Sequence, residues 1–493
     1  MIEQVQTQNI QLLNSSFDVL EILSKHSISG VEFDSSMRSS ATRCHPGTRQ
    51  SILQDIWYWL GDNQHVDRLL WLHGPAGAGK STIIQTLAED AESSDRLAAS
   101  LFFSDSTTSG DENFIVATIC YQIAVKISCY RDFLAERMRA NPRILEKRLR
   151  EQFNELIVRF FKENPNTELG SVRIILLDGL DELASLRHGD QSTMEQLLAL
   201  IVHLHTITSA PFLWVISSRG EHSIRRALST SQTGFTEWLV PADSVDDVTL
   251  YIQDSFSVIR QKYPNLIHPD WPSDGEVSMI TTAAGGLFIY ASTAIRFIDD
   301  PRRKNPITQF AHLLSLLDTT QANQLIDKVE NPFLPLDRLY TRIMVHIHHS
   351  VLPDTLQLLG YALFKQDTMN AWTLVSASNV LAYERHTAYS ALEQLGAVLE
   401  IPNVDQAEDK NFRIFHSSFA EYLLSPVRSG DFVLDMDKAN THVWWCYLRI
   451  LQDANDTGPS MHIHSLYPIQ FRSLLPRRTL AATCKHQPDL DPW

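Results

Sequence analysis

Residues Gly74-Pro75-Ala76-Gly77-Ala78-Gly79-Lys80-Ser81 satisfy the spacing G-x-x-x-x-G-K-[ST] at every specified position. Glycines at those places let backbone N–H groups turn inward around phosphate oxygens, Lys80 neutralises charge at the β/γ end, and the Ser81 hydroxyl is placed to ligate Mg²⁺. Thr82 follows in the first helical turn and joins the eight as a nucleotide-side residue. The loop leaves an apolar run, Arg68 to His73, and enters a helix beginning near Lys80, whose N-terminus favours an anion. A glycine-rich turn that binds nothing would not need this context.

A second constellation follows further along the chain, Ile174-Ile175-Leu176-Leu177-Asp178-Gly179-Leu180-Asp181-Glu182. Apolar residues ending in Asp describe a buried strand whose tip presents a carboxylate to Mg²⁺, so Asp178 is the expected metal ligand beside Ser81. Asp181 and Glu182 are then placed to polarise an attacking water. The bland alternative, a solvated acidic turn, is weakened by the phosphate loop upstream. A third strong strand ends in Ser217-Ser218-Arg219, where Arg219 would sense a γ-phosphate or balance transition-state charge. A salt-bridging Arg opening the next helix is its structural alternative.

These residues need elements to hold them. Short β-rich runs at 68–73, 97–103, 172–178, 212–218 and 235–240 alternate with helical patterns. The helices are expected at Ser51 to Leu60, from Lys80, from about Asn113, from Leu145 to Lys162 and from Thr193. Such alternation implies crossover connections and a mostly parallel sheet with helices on both faces, an α/β P-loop core. Beyond Pro241 the pattern becomes helical. AVLEIP (397–402) and FRIFH (412–416), separated by a polar loop, read as a hairpin behind helices, a winged-helix arrangement. The expected divisions are an N-terminal polar and helical segment, 1–43, the NTPase domain, 44–240, a helical domain, 241–330, a winged-helix domain, 331–430, and a C-terminal helix with an irregular tail, 431–493. No repeat of solenoid period is present.

Composition bounds the function classes. The chain has 493 residues, 44% apolar and 20% charged, which suits folded domains and not disorder. Forty-two Lys and Arg against 58 Asp and Glu give a net charge of −16, so nucleic acid and anionic lipid are not expected partners. Five cysteines without a C-x-x-C pair argue against a disulfide framework or zinc ribbon and for a reducing, cytoplasmic setting. The N-terminus lacks a basic n-region, and the uncharged stretches 197–218 and 277–295 break into shorter elements, so no signal peptide or membrane span is expected. Clustered histidines at 346, 348 and 349, and at 462 and 464, lack carboxylate or cysteine partners at ligand spacing.

The combination resembles the NACHT subgroup of the signal-transducing STAND ATPases, in particular the fungal NLR-like set related to the nephrocystin-type N-terminal NTPase domain. DGLDE (178–182) is similar to the D-G-x-D-E strand end of that family, and SSRG (217–220) to its T-S-R-P element, with Gly220 departing from the proline. CHPGTR (44–49) resembles its leading segment, GGLFIYASTAIRF (285–297) its helical-domain element, and FHSSFAEYLL (415–424) a stretch of its winged helix. The resemblance implies Thr48, with Arg49, on the adenine side and His416 at the β-phosphate of ADP; a histidine pinning the following helix is the alternative for His416. It implies a switch closed with ADP and open with ATP, using Mg²⁺, slowly hydrolysing, and self-assembling in the ATP state with unidentified sensor and effector proteins. An innate-immunity or heteroincompatibility role is the family's implication, with GTP left open beside ATP. A nucleotide-binding scaffold without hydrolysis, or an AAA+-like ATPase, is the competing expectation.

Overall fold

Why the apolar runs are continuous, rather than alternating, becomes plain from the sheet they form. In the computed structural model the chain is described at residues 19–38, 41, 43–61, 67–103, 114–165, 173–183, 191–208, 210–229, 234–241, 244–318, 333–364, 373–408, 410 and 412–457. Strands β1 (Leu69–His73), β2 (Leu97–Phe102), β3 (Arg173–Asp178), β4 (Phe212–Ser218) and β5 (Thr236–Leu239) lie parallel in the order β2-β3-β4-β1-β5. Every residue of β1 to β4 is buried, because both faces are covered.

Side-chain alternation sorts the strands into two cores. Leu70, Leu72, Ile174, Leu176, Leu213 and Val215 face the helices Gln50–Gly61 and Lys80–Ser93, which contribute Ile56, Leu60, Ile83, Ile84 and Leu87. Leu69, Trp71, Ile175, Leu177, Trp214 and Ile216 face the other way. Against them pack Phe114–Lys126, Ser128–Ala140, the helical stretch 149–163, Gln191–Ile207 and His222–Ser229. The stretch 149–163 contains a π-helical insertion at Asn154–Val158. Ser128–Ala140 is absent from the elements expected of the pattern, since its apolar positions are diluted by Arg131, Asp132, Glu136, Arg137 and Arg139.

Residues 19–38, from the segment expected ahead of the α/β domain, supply Val19, Leu23, Ile28 and Val31 to its core. The Val31 carbonyl accepts from Phe102 N at 2.9 Å and Phe33 N donates to Ser100 Oγ at 3.1 Å, so the segment covers the otherwise open edge of β2.

The chain divides into two compact units, Met1–Asp254 with Ala284–Ile289, and Ser255–Ala283 with Tyr290–Trp493. The second unit is mainly helical. Phe256, Trp271 and Phe310 meet edge to face, with ring centres 5.1 to 5.4 Å apart. Its helices Leu334–Val345 and Ser417–Leu424 are joined by Tyr340 OH and Ser418 Oγ at 2.8 Å. Strands β6 (Leu399–Glu400) and β7 (Arg413–Ile414) form an antiparallel pair, two residues each, shorter than the runs read from sequence. The expected irregular tail falls at 458–493, outside the described residues. Among the described residues no helix is long and apolar enough to cross a membrane.

Candidate functional site

The sheet order determines what meets at its carboxyl edge. β4 lies between β1 and β3, so the loops after His73, Ser218 and Asp178 leave side by side, the place where open parallel sheets bind ligands. The turn Gly74–Ser81 begins there. Gly77 and Gly79 have φ of 76° and 91°, the left-handed region where glycine is at home. At Gly77 space is also demanded, since an added Cβ would lie 2.1 Å from Ile289 Cγ2. Ile289 N donates to the Gly77 carbonyl at 3.4 Å, so the GGLFIY segment returns to the loop it follows by some two hundred residues in sequence.

Lys80 Nζ donates to the carbonyls of Gly74 and Pro75 at 2.9 and 3.0 Å. Burial lowers its pKa, while Asp181 and Asp178 act to hold its proton. Thr82 Oγ1 donates to Gly79 O at 2.6 Å, tightening the first turn of Lys80–Ser93.

Asp178, 3% exposed, ends β3. Its carboxylate accepts the Ser217 hydroxyl, and the Ser81 side chain also bonds to it. Burial raises its pKa; those two hydroxyls and the cations Arg38 and Lys80 oppose the rise. A buried carboxylate and a hydroxyl from the phosphate loop are hard oxygen donors that fit a divalent cation such as Mg²⁺. Gly179, at φ 71°, turns the chain away from β3 where an added Cβ would meet the Phe103 carbonyl at 2.7 Å. The turn Leu180–Leu183 then carries Asp181 and Glu182. Asp181 is 8% exposed at its side chain and holds Arg219 twice: Oδ1 accepts the Arg219 backbone N–H at 3.1 Å, and Oδ2 lies 3.2 Å from Nε. Arg219 thus keeps a third of its side chain in solvent while being aimed by the acidic turn.

The structure therefore brings Gly74 to Thr82, Asp178, Asp181, Glu182 and Arg219 to one edge. Thr48 lies nearby but is buried, its hydroxyl donating to its own loop at His45 O, 2.8 Å. His416 belongs to the second unit, where Nδ1 accepts Ser418 N at 3.0 Å and caps the helix Ser417–Leu424. That capping contact is the helix-pinning arrangement weighed for it from sequence.

Several neighbours carry no sequence signal. His73, the last residue before the loop, is buried, with Nε2 2.8 Å from Glu237 Oε1 and its ring centre 4.5 Å from that of Trp71. Burial lowers its pKa against the pull of Glu237. Arg38, from the N-terminal segment, stacks 3.7 Å over the Phe102 ring and donates to Gln85 Oε1 at 3.2 Å. Phe102 is the β2 partner of Asp178, which explains how a residue outside every motif influences that carboxylate.

Two solved structures similar to the chain are the Aeropyrum pernix ORC2 protein in its ADPNP-ADP complexes and Cdc6p from Pyrobaculum aerophilum. Identities are 11% and 13%, TM-scores 0.34 and 0.33, and each likeness covers 86% of this chain and 100% of the other. No curated protein matches the chain. Residues 47–219, a segment containing the phosphate loop, DGLDE and Arg219, match the family model described as Nephrocystin 3, N-terminal.

Proposed function

We propose that the chain is a nucleotide-dependent signalling switch of the NACHT class, closed with ADP and open with ATP. One observation carries the reading: Gly74–Ser81 leaves β1 and Asp178–Glu182 leaves β3 at one edge of a parallel sheet, with Asp178 bonded to hydroxyls of Ser217 and Ser81. Backbone N–H groups of the loop and Lys80 bind the polyphosphate. Ser81 and Asp178 would hold Mg²⁺, which when bound neutralises charge on the β and γ oxygens. Glu182 orients water, and Arg219, held by Asp181, faces the charge that develops at the γ end. Hydrolysis resets the switch. The antiparallel pair β6-β7 behind helices supports a winged-helix module within 331–430, and we assign His416 there to the ADP-bound form. Self-assembly in the ATP state, a cytoplasmic setting, and a fungal NLR-like signalling role complete the proposal.

The direct test is Lys80→Ala. Losing an ammonium that makes charge-assisted contacts should weaken ATP binding at least about a hundredfold. Calorimetric titration of the wild-type and variant chains with Mg-ATP reads the change. Equal affinity in the two would overturn the nucleotide reading. Binding without phosphate release above the Lys80→Ala background would make the chain a non-hydrolysing scaffold.

A further inference from the structure

Arg49 is the residue through which the leading segment grips the phosphate loop. Its backbone lies in the left-handed region, φ 56°, uncommon for a residue with a Cβ. That turn sends the side chain inward, where it is 5% exposed. One terminal nitrogen donates to the Ala78 carbonyl at 2.6 Å and lies 3.5 Å from Pro241 O, and the other donates to Ser244 Oγ. The backbone N–H of Arg49 donates to Asp247 Oδ2 at 3.1 Å, an oxygen also 3.9 Å from Nε. The guanidinium carbon sits 5.2 Å from the centre of the Phe288 ring, a cation–π distance. A planar donor fork with acceptors on two sides is fixed in direction as well as place.

The Ala78 carbonyl belongs to the peptide that ends in the Gly79 nitrogen. A trans peptide is planar, and its C=O and N–H point in opposite directions. Drawing the Ala78 carbonyl onto Arg49 therefore turns the Gly79 N–H away from Arg49. Of the two sides of a G-x-x-x-x-G-K-[ST] turn, the inner one is where backbone donors collect around phosphate. Gly79, at φ 91°, carries the chain from this peptide into the helix Lys80–Ser93. A charged donor on the carbonyl makes the orienting bond a strong one.

We propose that Arg49 is a positioning residue of the phosphate loop, fixing the Ala78–Gly79 peptide so that its N–H faces the polyphosphate, and that it is not a contact for the base. The inference rests on the nucleotide reading of Gly74–Ser81. It separates two roles that an ordinary ATP titration would confuse, because a base contact and a loop-positioning residue both weaken ATP when removed. Inorganic tripolyphosphate has the phosphates and no base, so it tells them apart.

The experiment titrates the full chain, as wild type, Arg49→Met, Arg49→Lys and Lys80→Ala, with ATP and with tripolyphosphate, and records thermal unfolding of each. Arg49→Met is expected to weaken both probes by the same factor, about tenfold or more. Arg49→Lys should recover part of both, since an ammonium reaches one carbonyl but cannot span two acceptors. Loss of ATP with wild-type tripolyphosphate affinity would make Arg49 a base contact, and unchanged affinity for both would remove any role; either overturns the proposal. If Arg49→Met does not fold, Ser244→Ala takes its place. Without the hydroxyl steadying the guanidinium, both probes should weaken together about two- to threefold; unaltered binding of both, or a change confined to ATP, overturns the proposal. Wild-type chain that binds neither probe would instead sink the nucleotide reading itself.

Discussion

At the scale of single residues, the chemistry depends on which polar groups are held out of water and by what. Asp178 is buried and Lys80 is half-buried, and desolvation pushes their pKa values in opposite directions, raising the carboxylate's and lowering the ammonium's. His205 shows the energetic side of such burial without any link to the site. It lies on Gln191–Ile207, and its Nε2 is buried with no hydrogen-bond partner among the described residues. Burial, with a smaller push from Arg68, lowers its pKa to about 4. The folded chain therefore resists a proton that the unfolded chain takes near pH 6.5. Between those values the unfolded state binds more protons, so this contribution is full above about pH 6.5 and is lost as pH falls toward 4, worth up to about 3 kcal/mol. His205→Leu should flatten the acid side: the drop in urea midpoint between pH 7.5 and pH 5 should be smaller than in wild type. An equal drop in both proteins would show that His205 does not govern that slope.

Elements explain why some of this was legible and some was not. β1, β3 and β4 announce themselves because a strand covered on both faces must be apolar throughout, and each run ends in or leads directly into a residue of the site, Gly74, Asp178 and Arg219. The phosphate loop and DGLDE are local, so spacing alone carries them. Docking of residues 19–38 is not legible, since Val19 and Leu23 keep a helical spacing but Ile28 and Val31 lie beyond that helix and follow no period with them. Nor is the approach of Ile289 to Gly77, or the left-handed turn at Arg49, because both depend on segments far apart in sequence. The second unit has a comparable tie. Arg428, on a short helix after Ser417–Leu424, donates from Nη2 to Asp337 Oδ1 at 2.6 Å and from Nε at 3.1 Å, with side chains 19% and 7% exposed. Asp337→Ala leaves the guanidinium without its carboxylate in a site that is nearly dry, a loss of about 3 kcal/mol. Thermal unfolding should fall by several degrees, and Asp337→Ala with Arg428→Met should fall less than the sum of the two single changes. Additive losses would mean the pair is not coupled.

At the scale of the whole molecule, the proposed function requires a net charge of −16 and a polyanion site to coexist. They can, because the attraction would be local, made by oriented backbone N–H groups, Lys80 and Arg219, and charge elsewhere is screened over about 10 Å. A local pocket is also what a switch requires, since only a difference between the two nucleotides shifts an equilibrium. Turning a population from 1:99 to 99:1 takes about 5.5 kcal/mol of differential binding. In the proposed function that difference comes from one phosphate, its metal and Arg219. In the same proposal Glu182 controls duration, not binding, because its assigned role is to act on the water that ends the ATP state. Glu182→Gln keeps the size of the side chain and removes its charge. It should therefore bind Mg-ATP within about threefold of wild type while releasing phosphate at least about a hundredfold more slowly, the range of a lost general base. Light scattering after size exclusion should find the variant with Mg-ATP as a persistent larger species and with ADP as a smaller one. Wild type given one equivalent of Mg-ATP should pass through the larger species and return. A variant that hydrolyses ATP at the wild-type rate would remove Glu182 from the reset, and a size that never responds to nucleotide would remove assembly from the switch.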